Sequence, residues 1–266
     1  MIGWIVSAAL ALGPQGAPAA APVVRPRDPW VFRSVLDERP RMVTIALSDQ
    51  MWIAYDATHC GLYRAWKGDV AFEGAVYTTQ HGPQPRSRGP SYVEGYELEP
   101  GESLWEATYP YGPDTVTESL EVVWRGYRID GTRKVTLMYD VLLPENVADG
   151  KAVRVEESPE YIRPMDRFNE QQIEAMGVPS THPGLVRTFR VVDPPAGVKL
   201  TVRLQTGGAL HQKSLGLERL SVEQVETEDG GSIEHVHSRL VLSKARAVNY
   251  LLMIFAPRPE TAEEAR

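Results

Sequence analysis

Residues Asp28 to Gly82 read DPWVFRSVLDERPRMVTIALSDQMWIAYDATHCGLYRAWKGDVAFEGAVYTTQHG. Short apolar runs, Met42–Leu47, Met51–Tyr55, Leu62–Trp66 and Ala75–Thr79, alternate there with Asp, Gly and Pro, the punctuation of antiparallel β structure. The same stretch holds three of the six Trp, the single Cys and two of the six His, so any chemistry is sought here first.

Leu104–Tyr109 continues the series, and Leu120–Ile129 and Arg133–Leu143 flank Asp130-Gly131, a pair suited to a tight hairpin turn with positive φ. On the returning strand Val135, Leu137, Tyr139 and Val141 share one face, and Thr136, Met138, Asp140 and Leu142 share the other, which predicts cover on both sides. Val198, Leu200, Val202 and Leu204 alternate with Lys199, Thr201, Arg203 and Gln205, the pattern of a strand with one wet face. Leu185–Val191, Arg219–Glu226, Ile233–Leu242 and Ala247–Phe255 follow, the last apolar enough to lie inside a sheet. The loop Gly82–Pro90 is too rich in Pro and Gly for a ladder and is expected extended on the surface. One helix is predicted, Pro164–Met176, with Pro in its first turn, Met165, Phe168, Ile173 and Met176 near one face, and Gly177 as a stop.

About a dozen strand segments without a dividing linker predict an all-β fold, a large two-sheet antiparallel sandwich with one short helical insertion and an apolar N-terminal segment. A division near residue 160 is the alternative. The expected plan is residues 1–22 as a signal peptide or retained membrane anchor, 23–29 as a linker, 30–256 as the sandwich and 257–266 as a disordered tail. The run Ile2–Leu12 and the small residues Ala17, Ala19 and Ala21 suit export, although the leading segment lacks Lys and Arg. As a helix that run rises about 1.5 Å per residue and falls well short of a hydrocarbon core of about 30 Å, so as an anchor it dips into one leaflet or packs against a larger complex. Export predicts a periplasmic protein.

A net charge of −7 provides no basic field for nucleic acid, and no Lys/Arg run interleaves with aromatics. Cys60 has no cysteine to pair with inside the chain; it is either a buried small apolar side chain or a reactive thiol beside His59. His235 and His237, two apart on a strand, face the same way and are the candidate metal ligands, against a reading as a solvated pair. The motifs HExxH, GxSxG, GxGxxG, CxxCH and the phosphate-binding loop are absent, and no cofactor is expected. Carboxylates at Glu94–Glu102 and at Glu156-Glu157 are candidates for acid and base work on sugars, or are merely solvated in loops. Aromatics are the richest feature. Trp52, Tyr63, Trp66, Tyr77, Trp105 and Trp124 are the candidate surface for stacking sugar rings or burying a partner, against a reading as core.

The residues PWVFRSVLDERPRMVTIALSDQMWIAYDATHCGLYRAWKG, FEGAVYTTQHGPQP, WRGYRIDGTRKVTLMYDVLLP, VEESPEY, GLVRTFRV and PAGVKLTVRLQT resemble an N-terminal module of large exported bacterial proteins that also carry c-type cytochrome and sugar-related domains. The resemblance covers most of Pro29–Thr206 and brings no catalytic residue with it. It implies a partner in electron transfer: a non-catalytic periplasmic accessory subunit docked onto a membrane protein complex of an electron-transfer or photosynthetic kind, cytochrome-containing complexes included. A carbohydrate-binding or carbohydrate-active domain is the alternative.

Overall fold

The computed structural model describes residues 29–258, except 73, 81, 95, 97, 99–100, 194, 206–208, 215–216, 227–231 and 243–248. The expected leader or anchor lies outside the described residues, as does the tail beyond residue 258. Strands β1 (Trp30–Leu36), β2 (Arg39–Ser48), β3 (Met51–Asp56) and β4 (Gly61–Trp66) form an antiparallel meander. The chain then leaves through β5 (Asp69–Ala71), returns through β6 (Arg86–Arg88), and rejoins the meander as β7 (Ser91–Val93) beside β4. It continues through β8 (Trp105–Tyr111), β9 (Asp114–Ser119), β10 (Val122–Ile129), β11 (Val135–Leu142) and β12 (Ala152–Ile162). Two short helices, α1 (Pro164–Arg167) and α2 (Glu170–Met176), precede β13 (Gly184–Val192). The last strands are β14 (Lys199–Gln205), β15 (Ala209–Ser214), β16 (Leu217–Glu226), β17 (Ser232–Leu242) and β18 (Asn249–Phe255).

The all-β antiparallel, sandwich-like class expected from the sequence is the class adopted. Its strands divide among three large sheets, ordered β1-β2-β3-β4-β7, β10-β11-β12-β13-β18-β15 and β16-β17-β14-β8-β9, with β5-β6 as a small fourth. The first and second sheets face each other: Val43, Ile45, Ile53 and Tyr55 meet Val135, Leu137, Tyr139, Val141, Val153, Val155 and Phe189 in one core. Trp105 of the third sheet enters the same core, its ring centroid 5.1 Å from that of Tyr139. Lost contact with water for these side chains is what drives the layers together, at roughly 1.5–3 kcal/mol for each fully buried large apolar group.

Four local expectations change. The predicted single helix is two, because the chain is extended at Phe168 and Asn169 restarts the helix: its side chain accepts from Gln172 N, and Gln172 Oε1 accepts in turn from Asn169 N. Gly177 stops α2 in the left-handed region, as the sequence predicts. The Asp130-Gly131 turn is wider than two residues. Asp130 N donates to Lys134 O, the Asp130 carboxylate accepts from Thr132 N and Lys134 N, and the positive φ falls on Arg133. Ala75–Thr79 forms no strand; a single bond, Val35 N to Val76 O at 2.8 Å, lays it against the edge of β1. Gly74 is the reason, with φ +72° and an added Cβ only 1.8 Å from Pro83 O, so the backbone folds onto itself there instead of extending. Finally, Gly82–Pro90 is only partly a surface loop: Gln84 and Pro85 are buried and Arg86–Arg88 pair with β5.

Candidate functional site

The register aligns Trp30 with Ala46, Ala46 with Trp52, and Trp52 with Trp66, so one row of four strands carries three indoles on one face of the first sheet. Trp66 is fully buried, stacks on Trp52 at 6.1 Å and donates Nε1–H to Asp69 O. Trp52 meets Trp30 at 6.1 Å and Phe32 at 6.4 Å. Phe72, brought back by the β5-β6 excursion, closes on Trp30 at 5.7 Å and on Phe32 at 5.1 Å. Burial falls along this pile. Trp30 and Phe32 are half-buried, Phe72 is 47% exposed, and beside the β1 edge Val76 and Tyr77 are 42% and 81% exposed.

Four of the six proposed surface aromatics are therefore corrected. Trp52, Tyr63, Trp66 and Trp105 are buried and offer no face to a ligand. Trp52 and Trp66 pack in the pile with Phe32, Tyr63 lies against Tyr96 and Arg39, and Trp105 meets Tyr139 and Cys60 O, contacts that strand periodicity alone does not reveal. Tyr77 is at the surface, and Trp124 is half-buried at the mouth of a cleft. Cys60 is buried, and its thiol is pushed up by burial and by the charge of Asp56, so the inert reading is the one its environment supports. His235 and His237 occupy β17 opposite Glu223 and Ser221, with their side chains outside the described residues. Among the described residues no three His, Cys, Asp or Glu side chains gather as a metal site. No helix among them is long and apolar enough to cross a membrane.

A buried ionic cluster was missed in the sequence. Glu157, on β12, is completely buried in the core between the first two sheets. It accepts from Tyr55 Oη at 2.5 Å, Tyr139 Oη at 3.0 Å and Arg187 Nε at 2.6 Å. Arg187 is itself 2% exposed, with its guanidinium over Phe189 at 5.1 Å and Tyr55 at 5.7 Å. Burial opposes the guanidinium's charge, but the Glu157 carboxylate and the two phenols more than offset it and raise its pKa. Burial first, then the charge of Glu157, holds both tyrosines well above the usual phenol range.

The sign of the resulting pH dependence is fixed. Unfolded phenols ionise near pH 10 and the folded ones do not, so above about pH 10 the unfolded state loses protons and stability falls. Each group contributes up to roughly 1.4 kcal/mol per pH unit. Urea midpoints measured through alkaline pH are expected to fall steeply, and a Tyr139→Phe chain to fall less steeply. Equal slopes in the two chains would show that Tyr139 ionises freely in the fold.

A cleft of about 520 Å³ opens where the three sheets meet. One wall is Arg41, at the start of β2, with Thr58 and His59 of the β3-β4 turn; the other is Glu102, Ser103, Ser119 and Glu121, with Trp124 lining it from β10. The turn is self-braced. Buried Asp56 accepts from Thr58 N at 2.7 Å and from His59 Nδ1 at 2.9 Å, which fixes the imidazole and leaves Nε2 as its other nitrogen.

No protein-family model matches the chain, and no curated protein matches it.

Proposed function

We propose that this chain is an exported, non-catalytic accessory subunit that docks in the periplasm onto a membrane-associated assembly of an electron-transfer or photosynthetic kind. The observation that carries this reading is the aromatic group at the edge strand β1: Trp30, Phe32 and Phe72 in mutual contact, with Val76 and Tyr77 exposed alongside. Rigid aromatic area left partly open to water, with charged side chains such as the Arg86–Glu38 pair at its margin, is the composition of a protein interface. Trp30 also follows directly on the Ala/Pro stretch that joins it to the apolar run Ile2–Leu12. With that run retained at a membrane, β1 is the first strand to follow it. The resemblance to modules that accompany c-type cytochromes points to the kind of partner.

The test is isolation of the tagged full chain from its native membranes in mild detergent, with a Phe72→Ser, Tyr77→Ser chain in parallel. The parent is expected to recover a stoichiometric membrane complex with c-type haem absorption, and the double variant roughly tenfold less of it at an unchanged thermal midpoint. A free, soluble parent chain, or equal recovery by both, removes the reading.

A further inference from the structure

We infer that the cleft between the β3-β4 turn and the β9-β10 corner is a carbohydrate-binding site that seats a neutral sugar ring against Trp124. A volume of about 520 Å³ falls within the range of small-ligand sites. Its charges decide the ligand class. Arg41 stands on one wall and Glu102 and Glu121 on the other, so an anion or a cation meets a like charge as well as an opposite one. A neutral polyhydroxylated ring has no such conflict. Its hydroxyls donate to Glu102, Glu121 and His59 Nε2 and accept from Arg41, while the apolar face of the ring covers the indole.

The geometry is prepared for this. Asp56 fixes the His59 ring through Nδ1, Glu102 is held 3.9 Å from Arg203, and Arg41 pairs with none of the described carboxylates. Trp124 sits on an edge strand at a bulge between Trp124 and Gly126, which leaves its indole at the rim of the core. The site is independent of the docking surface proposed above. Arg41 and Ala46, the residue opposite Trp30, are about 17 Å apart along β2, toward opposite ends of the first sheet.

The full chain is titrated with cellotetraose, chitotetraose and maltotetraose, followed by tryptophan fluorescence and by saturation transfer to the sugar protons. At least one is expected to bind with a Kd of about 1 mM or tighter, with Trp124→Ala weakening it roughly tenfold and Glu121→Gln roughly threefold. Trp124→Phe is expected to retain binding, because a phenyl face still stacks. Trp124 also touches the core, so Glu121→Gln, on an exposed side chain, carries the test if Trp124→Ala does not fold. The inference is overturned by no saturable binding of any of the three sugars at about ten times that concentration. Binding that Glu121→Gln and Arg41→Ala leave unchanged overturns it too, as does preference for a zwitterionic Lys-Glu peptide over all three sugars.

Discussion

An Arg187→Met chain is expected to unfold about 3–5 kcal/mol more readily than its parent, because the substitution leaves the Glu157 carboxylate buried without its counter-charge. Tyr55 and Tyr139 still donate to it, but two neutral phenols do not replace a guanidinium at 2.6 Å. The cost comes from breaking the pair, not from the absence of ions in the core. Replacing the whole cluster, with Glu157→Leu and Arg187→Met together with Tyr55→Phe and Tyr139→Phe to remove the orphaned hydroxyls, is expected to recover most of the loss. Urea midpoints of the three chains check this. A single Arg187→Met change costing less than about 1 kcal/mol would mean that the carboxylate takes up a proton or reaches water once the arginine is gone.

Trp66→Ala carries the second large effect, about 3–5 kcal/mol. The indole is fully buried, stacks on Trp52 and donates to Asp69 O at the start of the β5-β6 excursion. Removing it opens a cavity beneath the row that ends at Trp30, and it also unpins the segment that delivers Phe72. Weaker docking is therefore expected alongside lower stability. Trp66→Phe fills part of the space and loses the Asp69 bond, so its loss is expected to be less than half as large. The comparison uses urea unfolding at constant m-value, with partner recovery from membranes as the second readout. A stable Trp66→Ala chain with intact docking would detach the buried pile from the surface group.

Pattern reading finds strands where apolar and polar residues alternate, and it fails where charge enters the core. β2, β3, β4, β8, β11, β13 and β18 are all visible as apolar runs. β12 is not, because Glu156, Glu157 and Pro159 read as a loop. The proline is tolerated since β12 pairs with β11 only as far as Glu157, and beyond it with β13 alone. Val153 and Val155, alternating with Arg154 and Glu156, are the signal that was available, with Arg187 inside an apolar strand as its complement. The cleft was legible only in pieces. Trp124 stands out as an aromatic and Glu102 as part of an acidic stretch, but Arg41, His59 and Glu121 come from separate parts of the chain, and nothing local to them announces a shared cleft.

The amino-acid sequence by itself determined the antiparallel all-β class, the main strands, the hairpin between β10 and β11 and the stop at Gly177, because period-two alternation, turn residues and glycine at positive φ act over a few neighbouring residues. It also determined that Cys60 has no partner within the chain. Tertiary structure decided which aromatics are core and which are surface, because a strand has two faces and only the layer packed against each says which one is dry. It likewise decided that Glu157 and Arg187 meet. They are thirty residues apart in sequence. Neither is tolerable alone in the core, and only the pairing of β12 with β13 beneath Tyr55 of the opposite sheet brings their charges together.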